Sequence, residues 1–333
     1  MRVAVDAMGG DYAPAEIVAG AVEAAQSLPS ISKIILVGDE AGIRQELDKC
    51  GPVPGNVEVR HASETIGMGE SPVQAIRKKK DSSMSRCFDL VKAGEAEAVV
   101  SAGNTGALVV AASLKLRTLE NVQRPAIAAV MPTVKDPFVL IDAGANVDGD
   151  ARLLCQFAAM GSVYIREIFG RRNPVVGLLS IGEEDTKGTE ITKEVFKMLS
   201  ESKLNFRGNV EGLDLFKGET DVIVCDGFMG NVVLKTSESA ARTIASLLKR
   251  EFSSTPVRIA GSLLLRGAFR SIKKQMDPET YGGALLLGVN GVCIKTHGTS
   301  SRRAVYHAIR VAGESLHQQL NNLIVEEIKK NGF

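Results

Sequence analysis

The sequence predicts a three-layer α/β fold, in which a mostly parallel sheet is covered by helices on both faces. Short β-branched runs alternate with segments of helical periodicity along the 333 residues, an order that favours right-handed crossovers between parallel strands. The composition, with 44% hydrophobic and 24% charged residues, is that of a globular chain with a sizeable core. Polar turns that contain glycine follow several strands, and ligands of such sheets bind beyond the carboxyl ends of the strands.

The predicted strands are short apolar runs at residues 3–6, 34–37, 57–59, 96–100, 139–141, 175–179 and 222–225. Apolar residues at helical spacing predict helices at residues 17–26, 108–114, 153–168 and 190–199. No break in composition divides the chain, so we expect residues 1–333 to form a single domain, with a second lobe from the later part as the alternative. A helical segment at about residues 236–280, in the C-terminal third, is expected to protrude in part.

The overall composition argues against several classes of protein. A net charge of +1 and a pI of about 7.6 provide no global field for nucleic acid, and 5% aromatic residues without Trp argue against a base-stacking surface. Five scattered cysteines without a CxxC pair argue against a disulfide framework or a zinc site. Because the chain enters a strand at once and has no apolar run of ~20 residues, we expect no leader, no membrane span and a cytoplasmic location.

Four polar turns are the first candidates for a binding site. Residues 8–11, 101–107, 144–148 and 227–231 each follow a predicted strand and contain glycine. A strand that passes through such a turn into a helix leaves unpaired N–H groups and the positive end of the helix dipole directed at one place. This arrangement suits an anion, and phosphate in particular. We therefore expect the four turns to line one crevice.

The familiar nucleotide and hydrolase motifs are absent from the sequence. The closest approach to GxxxxGK[ST] is residues 182–189, where the lysine precedes the glycine. GxGxxG, GxSxG and HExxH do not occur. Their absence removes the usual sequence support for a P-loop enzyme, a dinucleotide dehydrogenase, a serine hydrolase or a zinc protease.

Several short motifs, in their joint order, resemble those of the bacterial phosphate acyltransferases. These enzymes make acyl phosphate from acyl-[acyl-carrier protein] and inorganic phosphate, the first step committed to membrane glycerophospholipid. The resemblance spans nearly the whole chain and is carried by Asp6-Ala7-Met8-Gly9-Gly10-Asp11, Ser101-Ala102-Gly103-Asn104-Thr105-Gly106-Ala107, Asp142-Ala143-Gly144-Ala145-Asn146-Val147-Asp148, Asp226-Gly227-Phe228-Met229-Gly230-Asn231, Tyr281-Gly282-Gly283-Ala284 and Lys295-Thr296-His297-Gly298.

The resemblance has implications for fold, cofactors and partners. It implies a fold akin to the phosphotransacetylases and isopropylmalate dehydrogenases, a homodimer, and acyl transfer without a metal or an organic cofactor. It implies an acidic acyl-carrier protein and inorganic phosphate as partners. It also implies peripheral attachment to the inner face of the cell membrane, where a membrane glycerol-phosphate acyltransferase would use the product.

The chemistry of this reaction agrees with the residue types in the turns. A phosphate oxygen attacks the thioester carbonyl, a tetrahedral oxyanion forms, and the phosphopantetheine thiolate leaves. Phosphate is an anion at neutral pH, and a thiol with a pKa of about 8.5 is a competent leaving group, so no strong base is needed. The protein must mainly position two substrates and stabilise the oxyanion, tasks suited to Asn, Lys, His and backbone N–H groups.

Phosphate is assigned to the turn at Gly103, Asn104 and Thr105, with Asn146 from a similar turn and with Lys187 as a countercharge. The alternatives are that Asn104 only caps the helix and that Lys187 is an ordinary solvated lysine. A simple cap would not explain four similar turns, which favours the functional interpretation of Asn104. For Lys187 both interpretations stay open.

His297, Asp226 and Asn231 are the other catalytic candidates. His297 follows an apolar run and could protonate the thiolate or donate to the oxyanion, with a purely structural histidine as the alternative. Asp226 and Asn231 bracket a glycine turn that could orient phosphate or the oxyanion donors. Cys225 could form an acyl-enzyme, but we expect it to be buried in its strand. Three further aspartates are expected to cap helices or tie turns together: Asp6, Asp142 and Asp148.

A basic segment is the candidate docking site for the carrier protein. Arg77, Lys78, Lys79 and Lys80 follow a helix-like stretch. A complementary patch of this kind would speed the encounter with an acidic partner. The alternative is a solvated helix end, where cations also interact favourably with the dipole.

The segment between Pro256 and Pro278 is expected to form an amphipathic helix at residues 257–276. One face of this helix is apolar and contains Leu265, Phe269, Ile272 and Met276. The other face is basic and contains Arg266, Arg270, Lys273 and Lys274. This pattern is typical of a helix that lies in an anionic membrane surface. A helix packed in a dimer interface is the alternative.

Three classes of function follow from these observations. The first is acyl transfer to phosphate. The second is a metal- and nicotinamide-dependent decarboxylating dehydrogenase on a similar scaffold, which would bind its nucleotide and a divalent metal. The third is a non-catalytic binding protein of a lipid pathway, which would bind carrier protein without turnover.

Overall fold

In the computed structural model the backbone is described for residues 1–276 and 278–333, and the side chains for residues 1–272 and 279–333. The described backbone contains one sheet of 11 strands. The strands are β1 Arg2–Asp6, β2 Lys33–Gly38, β3 Val57–His61, β4 Ala98–Ser101, β5 Ala126–Met131, β6 Phe138–Ile141, β7 Val175–Leu179, β8 Asn205–Val210, β9 Val222–Val224, β10 Ala284–Leu287 and β11 Val292–Lys295. All the runs that were predicted to be strands lie in or overlap these elements.

The direction of the strands changes in the middle of the sheet. The order is β3-β2-β1-β4-β11-β10-β5-β6-β9-β7-β8. Neighbours are parallel except where β10 pairs with β11 and with β5, and where β5 pairs with β6. Three antiparallel pairings in a row reverse the direction, so β1, β4 and β11 run opposite to β6, β7, β8 and β9. Their carboxyl ends therefore lie at opposite edges of the sheet.

Helices cover both faces of the sheet. They are α1 Ala15–Ser27, α2 Glu40–Lys49, α3 Pro72–Lys78, α4 Ser83–Lys92, α5 Thr105–Lys115, α6 Ala151–Phe169, α7 Glu190–Ser200, α8 Gly227–Phe252, α9 Pro256–Leu264, α10 Arg266–Met276, α11 Arg302–His317 and α12 Leu320–Asn331. Apolar residues of α1, α6, α11 and α12 form a core on one face, and those of α4 and α5 form a second core on the other. The predicted three layers and mostly parallel sheet are confirmed.

Short polar side chains fix where several helices begin. Asp150 accepts a hydrogen bond from the N–H of Leu153 at the start of α6, and Asp226 accepts one from the N–H of Met229 at the start of α8. Such N-caps satisfy N–H groups that have no partner inside the helix. Helices predicted at residues 17–26, 108–114, 153–168 and 190–199 lie within α1, α5, α6 and α7, so their prediction is confirmed.

The helix predicted at residues 257–276 is wrong as a single element. The segment forms two helices, α9 and α10, with Leu265 between them. Gly261 and Gly267 lie on the two sides of this break. Glycine is about 1 kcal/mol less favourable than alanine in a helix, so the pair weakens a continuous helix at this point.

The segment from α8 to α10 is the least buried part of the described chain. No residue from Asn231 to Ile272 is buried, and within α8 only Gly227 and Gly230 are. A helix of 26 residues normally covers a core with one face, whereas α8 exposes apolar side chains such as Ile244. This exposure agrees with the expectation of a partly protruding helical segment.

Candidate functional site

Three turns meet at the carboxyl ends of β1, β4 and β11. Asp6 accepts a hydrogen bond from the Ser101 hydroxyl at 2.6 Å, and the same hydroxyl accepts one from the N–H of Gly103 at 3.0 Å. The backbones approach so closely that a Cβ on Gly9 would lie 2.7 Å from the Gly103 nitrogen. Only glycine fits at that distance, which explains why the turn after β1 contains it. We call the turns that follow β1, β4 and β11 the first turn group.

The side chain of Asn104 has a structural task at the start of α5. Its oxygen accepts a hydrogen bond from the N–H of Ala107 at 3.0 Å, and its amide donates to the carbonyls of Met68 at 2.9 Å and Glu70 at 3.1 Å. The capping alternative is therefore confirmed for the side chain, which leaves no amide proton directed at a ligand. In the described part of the chain, the N–H groups of Thr105 and Gly106 make no hydrogen bond, and both residues are half-buried. An anion at this helix end would bind to the backbone.

Lys295 lies beneath the same turn and was not singled out as a site residue from the sequence. It ends β11, pairs in register with Ser101 and is only 9% exposed. Its ammonium donates to the carbonyls of Ala102, at 3.4 Å, and Thr296. Burial, together with the charge of Lys235, lowers the pKa of Lys295 to about 8, although Asp6 and Asp11 act in the opposite direction. A lysine that closes an apolar strand was the sequence signal for it.

α8 brings charged side chains to His297. The Nε2 atom of His297 lies 3.8 Å from a carboxylate oxygen of Glu238. Burial and the charge of Lys235 lower the pKa of His297, against a smaller opposing effect of Glu238. Nδ1 lies 2.8 Å from the Thr299 hydroxyl and 3.3 Å from the Thr299 N–H. In the tautomer in which Nδ1 accepts from Thr299, the neutral ring carries its proton on Nε2.

A groove of about 650 Å³ runs along α8 beside His297. It is lined by Lys235, Glu238, Ser239, Arg242, Thr243, Ser246, Leu247, Arg250 and His297. Lys235, Arg242 and Arg250 outnumber the single carboxylate of this lining, Glu238, which makes the groove suitable for an anionic substrate. Sequence reasoning missed the α8 residues because they lie in an ordinary-looking helix, without a glycine turn or a motif.

The turns after β6 and β9 form a second group at the opposite edge of the sheet. Asp142 accepts hydrogen bonds from the N–H groups of Gly144, Ala145 and Asn146, which confirms that it ties its turn together. The Asn146 amide donates to Asp142 and to the carbonyl of Pro125 at 2.8 Å. The expectation that all four turns line one crevice is therefore wrong, because the reversal of strand direction separates them.

The other predicted residues of this edge differ in their exposure. Asp226 caps α8, and Asn231 is exposed one turn further along that helix. Lys187 is exposed in the loop after β7, whose carboxyl end also lies at this edge. Cys225 is buried, and burial together with Asp226 and Asp142 raises the pKa of its thiol. A protonated, buried thiol agrees with the expected role of Cys225 in packing.

α8 joins the two turn groups. It begins at Asp226 in the second group, and Glu238 reaches His297 in the first. The rise of a helix separates these two residues by about 18 Å. Leu234 of α8 packs against the same apolar cluster as Leu108 of α5, so both helices lie on one face of the sheet.

The predicted docking patch keeps three of its four cations at the surface. Arg77, Lys78 and Lys80 are exposed, whereas Lys79 pairs with Glu70 at 2.6 Å and donates to the carbonyl of Thr65. α3 packs directly on the start of α5: a Cβ on Gly106 would lie 2.6 Å from Pro72. The patch is therefore close to the first turn group.

The predicted membrane face is rearranged by the break between α9 and α10. Phe269 packs edge-to-face on Phe252 of α8, with ring centroids 4.8 Å apart, and is half-buried. Leu265 and Ile272 are exposed, and the Met276 side chain lies outside the described residues. Other apolar residues are more exposed, with Leu264 at 89% and Val257 at 81%. Among the described helices, none combines the length and the apolar character needed to cross a bilayer.

Comparison with known proteins identifies the family. A family model described as "Fatty acid synthesis protein" matches residues 1–323. The phosphate acyltransferase of Desulfitobacterium hafniense is 47% identical over 331 residues, which cover 99% of this chain and 97% of that protein. The phosphate acyltransferase of Thermodesulfovibrio yellowstonii is 46% identical over 330 residues, covering 99% and 95%. The chain belongs to the phosphate acyltransferase family.

Solved structures place this phosphate acyltransferase family member among related folds. A phosphotransacetylase from Streptococcus pyogenes aligns with a TM-score of 0.61 and 18% identity over 95% of this chain and 94% of that chain. A branched-chain phosphotransacylase from Enterococcus faecalis aligns with a TM-score of 0.57 and 15% identity, over 95% and 99%. At such identities the likeness establishes the fold alone. The predicted kinship with the phosphotransacetylase fold is confirmed.

Proposed function

We propose that this protein transfers an acyl group from the thioester of acyl-[acyl-carrier protein] to inorganic phosphate, forming acyl phosphate. The observation that carries the proposal is the first turn group. Unpaired N–H groups of Thr105 and Gly106 lie at a helix start there, close to the buried ammonium of Lys295 and the cationic groove along α8. The full-length similarity to phosphate acyltransferases supports the same reaction.

The geometry divides the work between binding and oxyanion stabilisation. Phosphate would bind at the start of α5, where the helix dipole and the free N–H groups attract an anion. Attack on the thioester carbon creates a tetrahedral oxyanion, and the carbon–sulfur bond then breaks with release of a thiolate. Because its lowered pKa keeps His297 neutral at pH 7, its Nε2–H serves as a hydrogen-bond donor to the oxyanion rather than as a strong acid.

The second turn group has a separate place in this proposal, because it lies at the opposite edge of the sheet from the start of α5. Asn231 and Lys187 are exposed and could contact substrate there, and Asp226 would position the start of α8. The amide of Asn146, predicted to bind phosphate, is taken by Asp142 and by the carbonyl of Pro125. Replacement of Asn231 or Lys187 by alanine tests whether this edge takes part in turnover. A loss of rate with unchanged thermal stability would place the second edge in the active site.

The macromolecular partners are assigned to two surfaces. Arg77, Lys78 and Lys80 would attract the acidic carrier protein toward the first turn group. The exposed apolar residues of α9 and α10 would attach the protein peripherally to an anionic membrane, which suits an amphiphilic product that a membrane enzyme consumes. A homodimer interface on the same helices is the competing use of this surface.

The assay for the function measures acyl phosphate as a product that reacts with hydroxylamine. Purified protein is incubated with acyl-[acyl-carrier protein] or with acyl-CoA, with and without inorganic phosphate. We expect product only when phosphate is present and faster turnover with the carrier protein. Carrier binding without any phosphate-dependent product would reject an acyltransferase and favour a binding protein.

A further inference from the structure

Lys295 has an unused hydrogen-bond donor in a buried position. An ammonium group has three N–H donors, and two of them are taken by the carbonyls of Ala102 and Thr296. Among residues with described side chains, no carboxylate oxygen lies within 4.0 Å of this ammonium. Burying a charge without an ionic partner is costly, so the native fold keeps this lysine at a cost in stability.

The groups that surround Lys295 increase this cost. Lys235 faces it from α8, and His297 follows it after one residue. Asp6 from β1 and Asp11 from the following turn act in its favour, but both lie beyond ion-pair distance. Asp6 already accepts the hydroxyl of Ser101 at 2.6 Å. A further negative charge at this position would compensate the excess of positive charge.

The position of the ammonium points toward a particular ligand. The carbonyl of Ala102 immediately precedes Gly103, so Lys295 lies at the base of the turn that leads into α5. The unpaired N–H groups of Thr105 and Gly106 belong to the same turn and helix start. Backbone donors and a buried ammonium together provide the two kinds of contact that phosphate makes in proteins.

We propose that Lys295 is the countercharge for the inorganic phosphate of the transfer reaction, with its third N–H donating to a phosphate oxygen. This inference rests on the proposed function and adds the residue that makes the anion site selective for charge. The phosphopantetheine phosphodiester of the carrier is the other anion that could contact this ammonium, and the kinetic experiment below distinguishes the two.

The proposal has a consequence for pH dependence. Lys295 must be charged to bind phosphate, and its pKa in the free protein is about 8. Deprotonation of Lys295 should therefore have little effect on phosphate affinity up to about pH 7. Well above pH 8, it should lower the affinity by about tenfold per pH unit. The titratable and charged groups that face Lys295 are Asp6, Asp11, Lys235 and His297.

The test compares Lys295→Met with Lys115→Met, a matched control. Lys115 is half-buried and pairs with Asp89 at 2.8 Å on the far end of α5. For Lys295→Met we expect the KM for phosphate to rise by about tenfold or more with the KM for acyl-[acyl-carrier protein] unchanged. Thermal stabilisation by phosphate should disappear as well. Lys115→Met should be less stable, since Asp89 loses its partner, but should keep its phosphate KM.

Several outcomes would overturn the proposal. One is a Lys295→Met protein that is stabilised by phosphate as strongly as the wild type. Another is a rise in the carrier KM with an unchanged phosphate KM, which would assign the ammonium to the phosphodiester. Should Lys295→Met not fold, wild-type phosphate binding measured by calorimetry at pH 7 and 9 decides, and equal affinities contradict the proposal. If the wild type binds phosphate with this pH dependence but forms no acyl phosphate, the proposed function fails and the Lys295 assignment stands.

Discussion

At the scale of single residues, hydrogen bonds decide which of two interpretations of a motif applies. Asn104 was the most prominent residue of the sequence, and its side chain both caps α5 and holds the loop that contains Met68 and Glu70. Lys295 was not among the predicted site residues, yet it is a buried lysine at the site. The local pattern offered the cap as one interpretation of Asn104, and Lys295 closes an apolar strand. The carbonyls of Met68, Glu70 and Ala102 that decide the two cases come from distant parts of the chain, so the local pattern alone did not settle them.

The stability of an Asn104→Ala variant tests the structural role of this side chain. We expect a loss of about 1–2 kcal/mol for the cap, and more because the carbonyls of Met68 and Glu70 lose their donor. Chemical denaturation measures the change. Asn104→Asp restores the capping oxygen and should recover part of the loss. An Asn104→Ala protein as stable as the wild type would contradict this role.

Lys295 makes a second residue-scale prediction, for stability as a function of pH. Its pKa falls from 10.5 in the unfolded chain to about 8 in the folded protein. The unfolded chain therefore binds more protons between these values, and the wild type gains stability as pH rises through that window. The destabilisation is fully present below pH 8 and amounts to roughly 3 kcal/mol.

The free energy of unfolding of the wild type and of Lys295→Met, measured at pH 7 and pH 10, isolates this effect. The wild type should gain stability relative to the variant at pH 10, where Lys295 is neutral in the folded state. A difference between the two proteins that stays constant with pH would show that Lys295 is not destabilised by burial.

At the scale of elements, seven of the eleven strands in the described backbone were predicted, because their apolar patterns are local, whereas β5, β8, β10 and β11 were not. The alternation of buried strands with amphipathic helices was evident from apolar periodicity alone. The break in the helix predicted at residues 257–276 also has a local cause. Gly261 and Gly267 flank the break that divides the predicted helix into α9 and α10, and this break turns Phe269 toward Phe252.

The α9–α10 segment makes a prediction about membrane attachment. A Val257→Glu, Leu264→Glu double variant removes the two most exposed apolar side chains described in this segment and should lose flotation with anionic liposomes at low salt. Val134→Glu is the matched control, since Val134 is 77% exposed but lies elsewhere, and it should float as the wild type does. If wild type and double variant both fail to float while the double variant alone becomes monomeric, the surface is a dimer interface.

α3 makes the prediction about carrier docking. Reversal of Arg77, Lys78 and Lys80 to glutamate should slow association with acyl-[acyl-carrier protein] by roughly tenfold or more at low salt, because steering by opposite charge is lost. Stopped-flow fluorescence at several salt concentrations measures the rate. Lys79→Glu should instead reduce stability, since Glu70 would then face a like charge. Association rates that do not change in the triple variant would exclude this patch as the docking site.

At the scale of the whole molecule, the sheet topology explains what the sequence could not predict. Each glycine turn was recognised correctly as the end of a strand, but the direction of the strands depends on pairings between β10, β5 and β6 that no local pattern encodes. These pairings separate the turns into two groups. α8 spans the distance between them and supplies Lys235, Glu238 and Arg242 to the groove at His297.

The position of bound phosphate tests this account most directly. A crystal structure with inorganic phosphate should show the anion at the start of α5, in contact with the N–H groups of Thr105 and Gly106 and with the ammonium of Lys295. Phosphate bound instead at the opposite edge, beside Asn231 and Lys187, with the first turn group empty, would contradict it.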